Sequence, residues 1–438
     1  MPYTALNNYK RIDMKKIRTV FCGCGHRAFG TGRSVMTIDA YETVGVCDPY
    51  EDKAVSLADE FEEKTGSRPA VYTDHIKMFE ELKPDCAIVV ANWEVHVAIS
   101  IDAMRRGIAV AMEVGGAYDE DECFELVRVY EETKTPFMFL ENCCFNKDEL
   151  LATSLVRNGM FGRIMYCSGA YGHDIREEIA YGDKTRHYRL RNYINRNCEN
   201  YPTHELGPIA KILNINRGNR FVSLISRASG SQGLHEYVQD KEGLEYLKDV
   251  QFKQADIVET MITCENGELI TIRLDTTLPR LYSREFMVRG TKGMYWQPNN
   301  MVLIDDNNFS ESKHTMTYPD GTVGRLAGDY KGLSLFANSA ENYDEYLPKM
   351  WREVTQEILE QGHGGMDYFE FVVFADCLLN GKEMPVDVYD AVAWMSITYL
   401  TERSLKTGMP VNIPDFTHGE YKNRKTLDVV ELPIINKN

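Results

Sequence analysis

No apolar run in the 438-residue chain approaches the roughly 18 residues that a bilayer span requires. The first 16 residues carry Lys10, Arg11, Lys15 and Lys16 but no apolar stretch after them, so no secretory leader is expected and the chain is read as cytoplasmic. Basic residues are in short supply: 49 Lys and Arg stand against 66 Asp and Glu, a net charge of −17. Without a basic stripe to track phosphates, neither nucleic acid nor a membrane surface is expected as a partner. The eleven cysteines lack the paired spacing of a zinc site, so no metal is expected. Several of them (Cys22, Cys47, Cys86, Cys264, Cys377) fall inside predicted strands or helices, where a reduced thiol acts as a small hydrophobe. Internal repeats and low-complexity tracts are missing too. At roughly 100–200 residues per domain, the length implies two or three domains.

What is present is a strand, a glycine turn, a helix and a second strand within residues 17–48. The first strand, 17–22, is apolar and β-branched apart from Arg18, the pattern of a strand buried on both faces. It runs into Gly23-Cys24-Gly25-His26-Arg27-Ala28, which fits G-x-G-x-x-G/A where a dinucleotide fingerprint requires it. Gly23 permits the tight turn, Gly25 lets the backbone approach a pyrophosphate, and Ala28 is small enough for the helix to pack on the strand. The phosphates are then expected at the positive helix end, beside His26 and Arg27. A strand over 43–47 ends at Asp48, whose carboxylate suits a ribose diol and repels a 2′-phosphate, which favours NAD over NADP.

Strand and helix patterns keep alternating to about residue 140, the signature of a doubly wound parallel sheet. Helices are predicted over 51–65, 74–82, 95–106 and 119–134, and strands over 71–72, 86–91, 108–112 and 137–140. Ligands of such sheets bind beyond the carboxyl ends of the strands, so Asn92, His96, Glu113 and Glu141-Asn142 share a rim with the glycine turn. Beyond about residue 160 the pattern becomes hairpins. Residues 256–264 and 268–274 alternate on either side of Asn266-Gly267, a strong hairpin signal, with further strands over 163–172, 220–228, 284–289 and 301–304. One conspicuous helix is predicted over 204–214, and two C-terminal helices over 366–380 and 388–407 stop near Gly381 and Gly408. The polar stretch 305–340 reads as a long functional or mobile loop. The fold class is therefore α/β: an extension (1–16), a Rossmann domain (17–145), and an α+β domain (146–438) with an open, mostly antiparallel sheet. The C-terminal helices are candidates to pack back on the Rossmann domain.

Two stretches hold the candidate chemistry. Tyr201-Pro202-Thr203-His204 places a phenol and an imidazole at a helix start, where the helix end biases the imidazole towards the neutral form wanted in a base. Packing or capping is the alternative use of that histidine. Gly362-His363-Gly364-Gly365 sets an imidazole between glycines, which suits close approach of a ligand or merely a flexible helix lead-in.

The stretches GCGHRAFG (23–30), MEV (112–114), LEN (140–142), NRNCENYPTHELGP (195–208), LNINRGNRFVSL (213–224), TTLPRLYSREFMVRGTKG (276–293) and GHGGMDY (362–368) resemble the Gfo/Idh/MocA oxidoreductases over nearly the whole chain. Within them the chain is similar to family 109 glycoside hydrolases, the NAD-dependent α-N-acetylgalactosaminidases. The resemblance implies tightly held NAD, Tyr201 and His204 as catalytic residues, and Tyr282, His363 and Asn142 at a carbohydrate substrate. It also implies a homo-oligomer formed through the second-domain sheet. The dehydrogenases of that family carry Glu-Lys-Pro where this chain has Glu113-Val114-Gly115, and tend to an Asp where Asn200 stands. The relay lysine is thus missing. Glycosidase relatives commonly have Pro at position 115 and Tyr at 145, where this chain has Gly115 and Phe145. The implied reaction oxidises the sugar at C3, eliminates the aglycone across C1 and C2, adds water and reduces C3 again, without the paired carboxylates of other glycosidases. A plain sugar or inositol dehydrogenase and a non-catalytic NAD or sugar binder remain the alternatives.

Overall fold

The computed structural model describes residues 16–305, 315–317, 319–321, 323–325 and 339–435. Residues 1–15 of the expected extension and most of the 305–340 loop lie outside the described residues. The first part alternates as the sequence pattern requires: β1 (Ile17–Cys22), α1 (His26–Met36), β2 (Tyr41–Cys47), α2 (Glu51–Thr65), β3 (Ala70–Tyr72), α3 (His75–Leu82), β4 (Cys86–Val89), α4 (His96–Met104), β5 (Ala109–Glu113), α5 (Glu120–Thr133) and β6 (Phe137–Leu140). The six strands lie in the order β3-β2-β1-β4-β5-β6, all parallel. Every residue of β4 and β6 is buried, because helices cover both faces of the sheet. Asp119 caps α5 by accepting from the Glu122 N–H at 2.9 Å, and three acidic residues in its first turn suit the helix dipole. The strand order reverses between β1 and β4, which opens a crevice at their carboxyl ends.

The second part contains α6 (Lys147–Arg157), β7 (Ile164–Gly172), α7 (Arg176–Ala180), α8 (Gly182–Thr185), α9 (Arg189–Asn195), α10 (Thr203–Ile212), β8 (Phe221–Ala228) and α11 (Gly233–Gln239). It continues through β9 (Ile257–Cys264), β10 (Leu269–Asp275), β11 (Met287–Gly290), β12 (Gly293–Trp296), β13 (Met301–Ile304) and a ribbon of β14 (Thr315–Thr317) and β15 (Val323–Arg325). The short helices α12 (Lys349–Arg352) and α13 (Gln356–Leu359) precede α14 (Met366–Asn380), α15 (Val388–Thr407) and β16 (Val411–Asn412). Eight strands form one sheet in the order β13-β12-β11-β7-β10-β9-β8-β16, antiparallel except for the β7–β10 pair. Along β9 every second residue is buried, Val258, Thr260, Ile262 and Cys264, and the others face out. Gly267, with φ +96°, turns β9 into β10, as Asn-Gly predicts.

The sequence pattern underestimated the helices here: α6, α7, α8, α9 and α11 accompany α10. Of these five, all but α6 have seven residues or fewer, too few turns for a 3.6-residue period to show. Strands β12 and β16 escaped for the same reason. The two long C-terminal helices reach back to the first sheet. The Phe139 N–H donates to the Val386 carbonyl at 3.0 Å, Ala117 N–H to Met395 at 3.0 Å, and the Tyr41 hydroxyl to Phe371 at 2.7 Å.

Candidate active site

The site begins with a missing side chain. Cys167, Gly169 and Tyr171 share one face of β7 by the two-residue period of a strand. A Cβ on Gly169 would lie 2.7 Å from the Glu205 Cβ, so glycine there lets α10 lie close on the strand. Two residues further on, Tyr171 consequently meets the start of α10, its ring 4.5 Å from that of Tyr201 and 5.7 Å from that of His204. Tyr201 and His204 themselves stand edge to face at 4.7 Å. Trp93 stacks on the far side of Tyr201 at 5.3 Å. The Arg189 guanidinium lies 5.3 Å from the Tyr201 ring and 5.5 Å from that of Trp93, within cation–π reach. On the open side, the Tyr171 hydroxyl and His173 Nδ1 are 3.2 Å apart, and the His173 ring is 5.1 Å from that of Tyr282.

His204 Nδ1 lies 2.7 Å from Oε1 of Glu141, a fully buried carboxylate at the end of β6. Besides the helix end, which the sequence offered, this imidazole has a buried carboxylate as its hydrogen-bond partner. Burial works to raise the Glu141 pKa, but His204 and the hydrogen bonds it accepts outweigh that and hold it below the usual carboxylate value. Glu205, next along α10, is pushed well up by burial and by Glu199, so the negative charge beside His204 rests on Glu141. A carboxylate accepts only, so Nδ1 donates to it and Nε2 is left as the nitrogen available to a substrate. For Tyr201, burial, with Tyr171 and Glu113 adding to it, lifts the phenol well above its ordinary value against the pull of Arg189. It stays a donor.

Glu141 and His204 also form, with Cys143, the one group among the described residues whose donor atoms lie within 4.8 Å of one another, as metal ligands would. The Glu–His pair is already joined by its own hydrogen bond, and burial lifts the Cys143 thiol well above its usual pKa. We therefore read the group as a hydrogen-bonded dyad.

The dinucleotide candidates gather at the crevice. Gly23 has φ +95°, and a Cβ there would lie 2.6 Å from the Val90 carbonyl and the Ala91 nitrogen, so only glycine fits. Nothing lies within 4 Å of where a Gly25 Cβ would point, the opening a pyrophosphate needs. Asp48 is buried, accepting from the Cys24 N–H at 2.8 Å and the Tyr50 N–H at 2.9 Å; it shapes the turn as well as standing at the end of β2. Asn92 keeps a buried carbonyl oxygen without a partner, an acceptor left over for a ligand. His96 is fully buried, which pushes its pKa down to about 4. It and Trp93 explain Gly115, whose Cβ would lie 2.7 Å from atoms of both rings. Phe145 is likewise buried, its carbonyl accepting from Trp351 Nε1 at 2.8 Å. His26 is exposed and Ala28 buried under the turn. These features fit a bound dinucleotide: an open glycine turn after β1, an acidic residue after β2 and an unsatisfied acceptor after β4.

Arg27 is occupied. Its Nε donates to Glu113 at 2.9 Å, and its two terminal nitrogens to Asp367 at 2.5 and 3.2 Å. Asn142 Nδ2 donates to the same Asp367 at 2.8 Å, and His363 Nδ1 is 3.0 Å from it. Asn142 and His363, both expected at the sugar, are hydrogen-bonded into the Arg27 cluster, and the Tyr282 ring lies against His173. Tyr171, His173, Arg189, Trp93 and the pairing role of Glu141 were not legible. The alternation of β7 carried a trace of Tyr171, since it puts that residue on the covered face.

A six-stranded dinucleotide-type sheet joined to an open mixed sheet, with an aromatic and His-Glu cluster where they meet, defines a two-part oxidoreductase-type fold. The family comparisons agree part by part: residues 17–140 match the oxidoreductase family with an NAD-binding Rossmann fold, and residues 145–423 match the C-terminal domain of glycosyl hydrolase 109. The chain belongs to glycosyl hydrolase family 109 and is a glycosidase. It is 33% identical over 435 residues to an alpha-N-acetylgalactosaminidase of Tannerella forsythia, covering 93% of this chain and 88% of that one. A glycosyl hydrolase family 109 protein of Parabacteroides distasonis is 33% identical over 440 residues, 94% and 89% of the two chains. Among solved structures, a myo-inositol 2-dehydrogenase of Lactobacillus plantarum superposes with a TM-score of 0.63 at 16% identity, covering 91% of this chain and all of that one. An oxidoreductase of Agrobacterium radiobacter bound to NAD+, L-tartaric acid and magnesium has a TM-score of 0.60 at 14% identity, over 91% and 99% of the two chains. At those identities they show the fold alone.

Proposed function

We propose that this glycosidase holds NAD in the crevice above β1 and β4 and cleaves hexosides or N-acetylhexosaminides by elimination. The observation that carries the reading is the His204–Glu141 dyad beside Tyr201, on the same rim as the open glycine turn. Gly23, Gly25, the His26–Arg27 backbone, Asp48, Asn92, His96 and Glu113 would hold the cofactor. When bound, NAD+ supplies a reversible hydride acceptor for C3 of the sugar. The C3 hydroxyl proton would pass to Nε2 of His204 and on to solvent, and with C3 a ketone the C2 hydrogen is acidic. His204 takes it through Nε2, while Glu141 steadies the positive ring as the aglycone leaves C1. Tyr201, kept protonated, donates to the C3 oxygen as negative charge gathers there. Water adding across C1 and C2 reverses the proton traffic at His204, and C3 then takes back its hydride and its oxygen a proton, so the sugar is a plain hydrolysis product and the residues end as they began. Tyr171, Arg189 and Tyr282 shape the pocket around the ring. No second carboxylate is required opposite the glycosidic bond, because the charge develops on an enolate.

A panel of aryl glycosides of both anomers, with and without a 2-acetamido group, tests the reading. Cleavage of at least one hexoside without net NADH is expected; oxidation of a free sugar or inositol with accumulating NADH and no cleavage refutes it in favour of a dehydrogenase. Purified protein, once denatured, should release dinucleotide. Asp48→Ala should weaken that binding and narrow the preference over NADP, since it removes both the ribose acceptor and the anchor of the turn; equal affinities in wild type and variant would exclude Asp48 from the site.

We further propose that the open face of the eight-stranded sheet pairs with a second copy of the chain. It bears a groove of about 560 Å³ lined in part by Tyr166, Thr271, Met287 and Trp296. Arg273 lies between Glu259 and Glu285 on it, a mixed-sign pattern that is self-complementary across a twofold axis. A monomeric mass in light scattering would exclude this pairing.

A further inference from the structure

Glu141 does more at the end of β6 than pair with His204. Its Oε1 also accepts from the Cys143 N–H at 3.1 Å, which closes the turn Asn142–Phe145 after the strand and pins Cys143 beside the carboxylate. The start of α10 comes down on the same spot and brings the His204 ring with it. A thiol, a carboxylate and an imidazole with donor atoms within 4.8 Å of one another are the ligand types of a zinc site whose fourth position is open. Zinc donors stand roughly 2.0–2.3 Å from the metal, so a tetrahedral site needs Nδ1 and Oε1 to part by roughly half an ångström from their 2.7 Å. Little holds the thiol against that use: its acceptor is Asn142 Oδ1 at 3.5 Å. Arg284, the cation whose charge reaches the thiol, is already paired with Glu149 at 2.6 Å. Glu141 and Cys143 are buried while 12% of the His204 side chain is exposed, so the way in runs past the His204 ring. All the cysteines are buried, and among the described residues Cys143 alone belongs to such a group.

We propose that Glu141, Cys143 and His204 form a binding site for a thiophilic divalent cation, Zn²⁺ or Cd²⁺, which inhibits the enzyme from behind its base. The inference rests on the reading of His204 as the base and adds a means of stopping it. While His204 serves as base, Nδ1 donates to Glu141 and Nε2 accepts from the sugar. The cation takes the Nδ1 lone pair, the carboxylate oxygen and the sulfur; the thiol proton leaves to solvent, and the ring proton moves from Nδ1 to Nε2. One proton is released per cation, and nothing is oxidised or reduced. An imidazole with its proton on Nε2 donates to a sugar and cannot accept from it. Nδ1 and Nε2 point to opposite sides of the ring, so the cation leaves the sugar site open, and what is lost is turnover rather than affinity. The working state remains the hydrogen-bonded dyad.

The test takes the whole purified protein, strips it of metal with a chelator, and preincubates it with ZnCl₂ or CdCl₂ before assay on the aryl glycoside it cleaves. Wild type should bind one cation per chain and lose kcat by about 10²-fold or more, the lower end for a lost general base, with KM nearly unchanged. Cd²⁺ should bring up thiolate-to-metal absorption in the ultraviolet, and renewed chelation should restore activity. Cys143→Ala should keep its metal-free activity, bind the cation at least about 10-fold more weakly and lose the ultraviolet band. Cys143→Val fills the space of the thiol and keeps the test valid if the alanine variant folds poorly. Equal binding and inhibition in wild type and the Cys143 variants overturns the site, and so does a rise in KM at constant kcat, which places the cation among the sugar contacts. No saturable binding of either cation to wild type overturns the site while leaving the catalytic reading intact. One cation bound through Cys143 with activity undiminished overturns the inhibition, and with it His204 as the base.

Discussion

Hydrolysis run to completion in deuterium oxide is expected to give sugar with deuterium at C2 and ordinary hydrogen at C3. The base that takes the C2 proton exchanges it with solvent before water adds back, while the C3 hydrogen travels as hydride and never meets solvent. A carboxylate-based glycosidase touches neither position, so its product would be unlabelled at both carbons. His204 is placed for this work because Glu141 fixes its tautomer at 2.7 Å, and Tyr201 because burial among aromatic rings keeps its proton on. His204→Ala and Tyr201→Phe should each lower kcat by about 10²–10⁴-fold, the range for a lost acid or base. Neither should release NAD, since both side chains lie at the start of α10 and not in the glycine turn. Ordinary hydrogen at C2 after full turnover would end the elimination mechanism, whatever the variants show.

Replacing Arg284 with methionine should cost about 3–5 kcal/mol of stability, the penalty for leaving one partner of a buried ion pair alone. Arg284 and Glu149 are 7% and 1% exposed, joined at 2.6 and 2.9 Å. Arg284 also donates to the Tyr282 hydroxyl at 3.3 Å, so one guanidinium serves both the fold and the pocket. Burial already raises the Glu149 pKa against the pull of Arg284. Without that arginine the value rises further above its unfolded one, and an acid raised in the folded state loses stability as pH climbs between the two. The deficit of Arg284→Met in urea unfolding should therefore be smallest near pH 5 and grow towards pH 8. Glu149→Leu combined with Arg284→Met should recover much of the stability yet not the activity, because Tyr282 still lacks its partner. A double variant as unstable as the single one would show that the pair is not what holds this region.

Much of the fold was legible because its signals are local. A run such as 86–89 is apolar throughout and can only be a doubly covered strand; Asn266-Gly267 can only reverse one; Asp387 and Gly408 mark the two ends of α15. The short helices α7, α8, α9 and α11 were lost because a 3.6-residue period hardly completes itself in seven residues or fewer. In the site, the glycine turn and the Tyr201–His204 pair could be read since each lies within one short segment. The glycines on both sides of His363 show that a ligand or a close contact is near without showing which, and its hydrogen bond to Asp367 needed the structure.

The sequence by itself determined that this chain carries a dinucleotide turn, a second sheet with one open face, and a phenol and imidazole at the start of one helix. Only the tertiary structure decided what each of these groups faces. His204 meets Glu141 across 63 residues of chain, and Arg27 meets Asp367 across 340. The first pairing exists because Gly169 lets α10 settle on β7 against the end of β6, the second because α14 returns to pack on α1. Residue spacing reports direction only within a helix or strand, where the backbone repeat is fixed. Between elements, direction is set by which side chains fill the gap between them, and that is a property of the packed core.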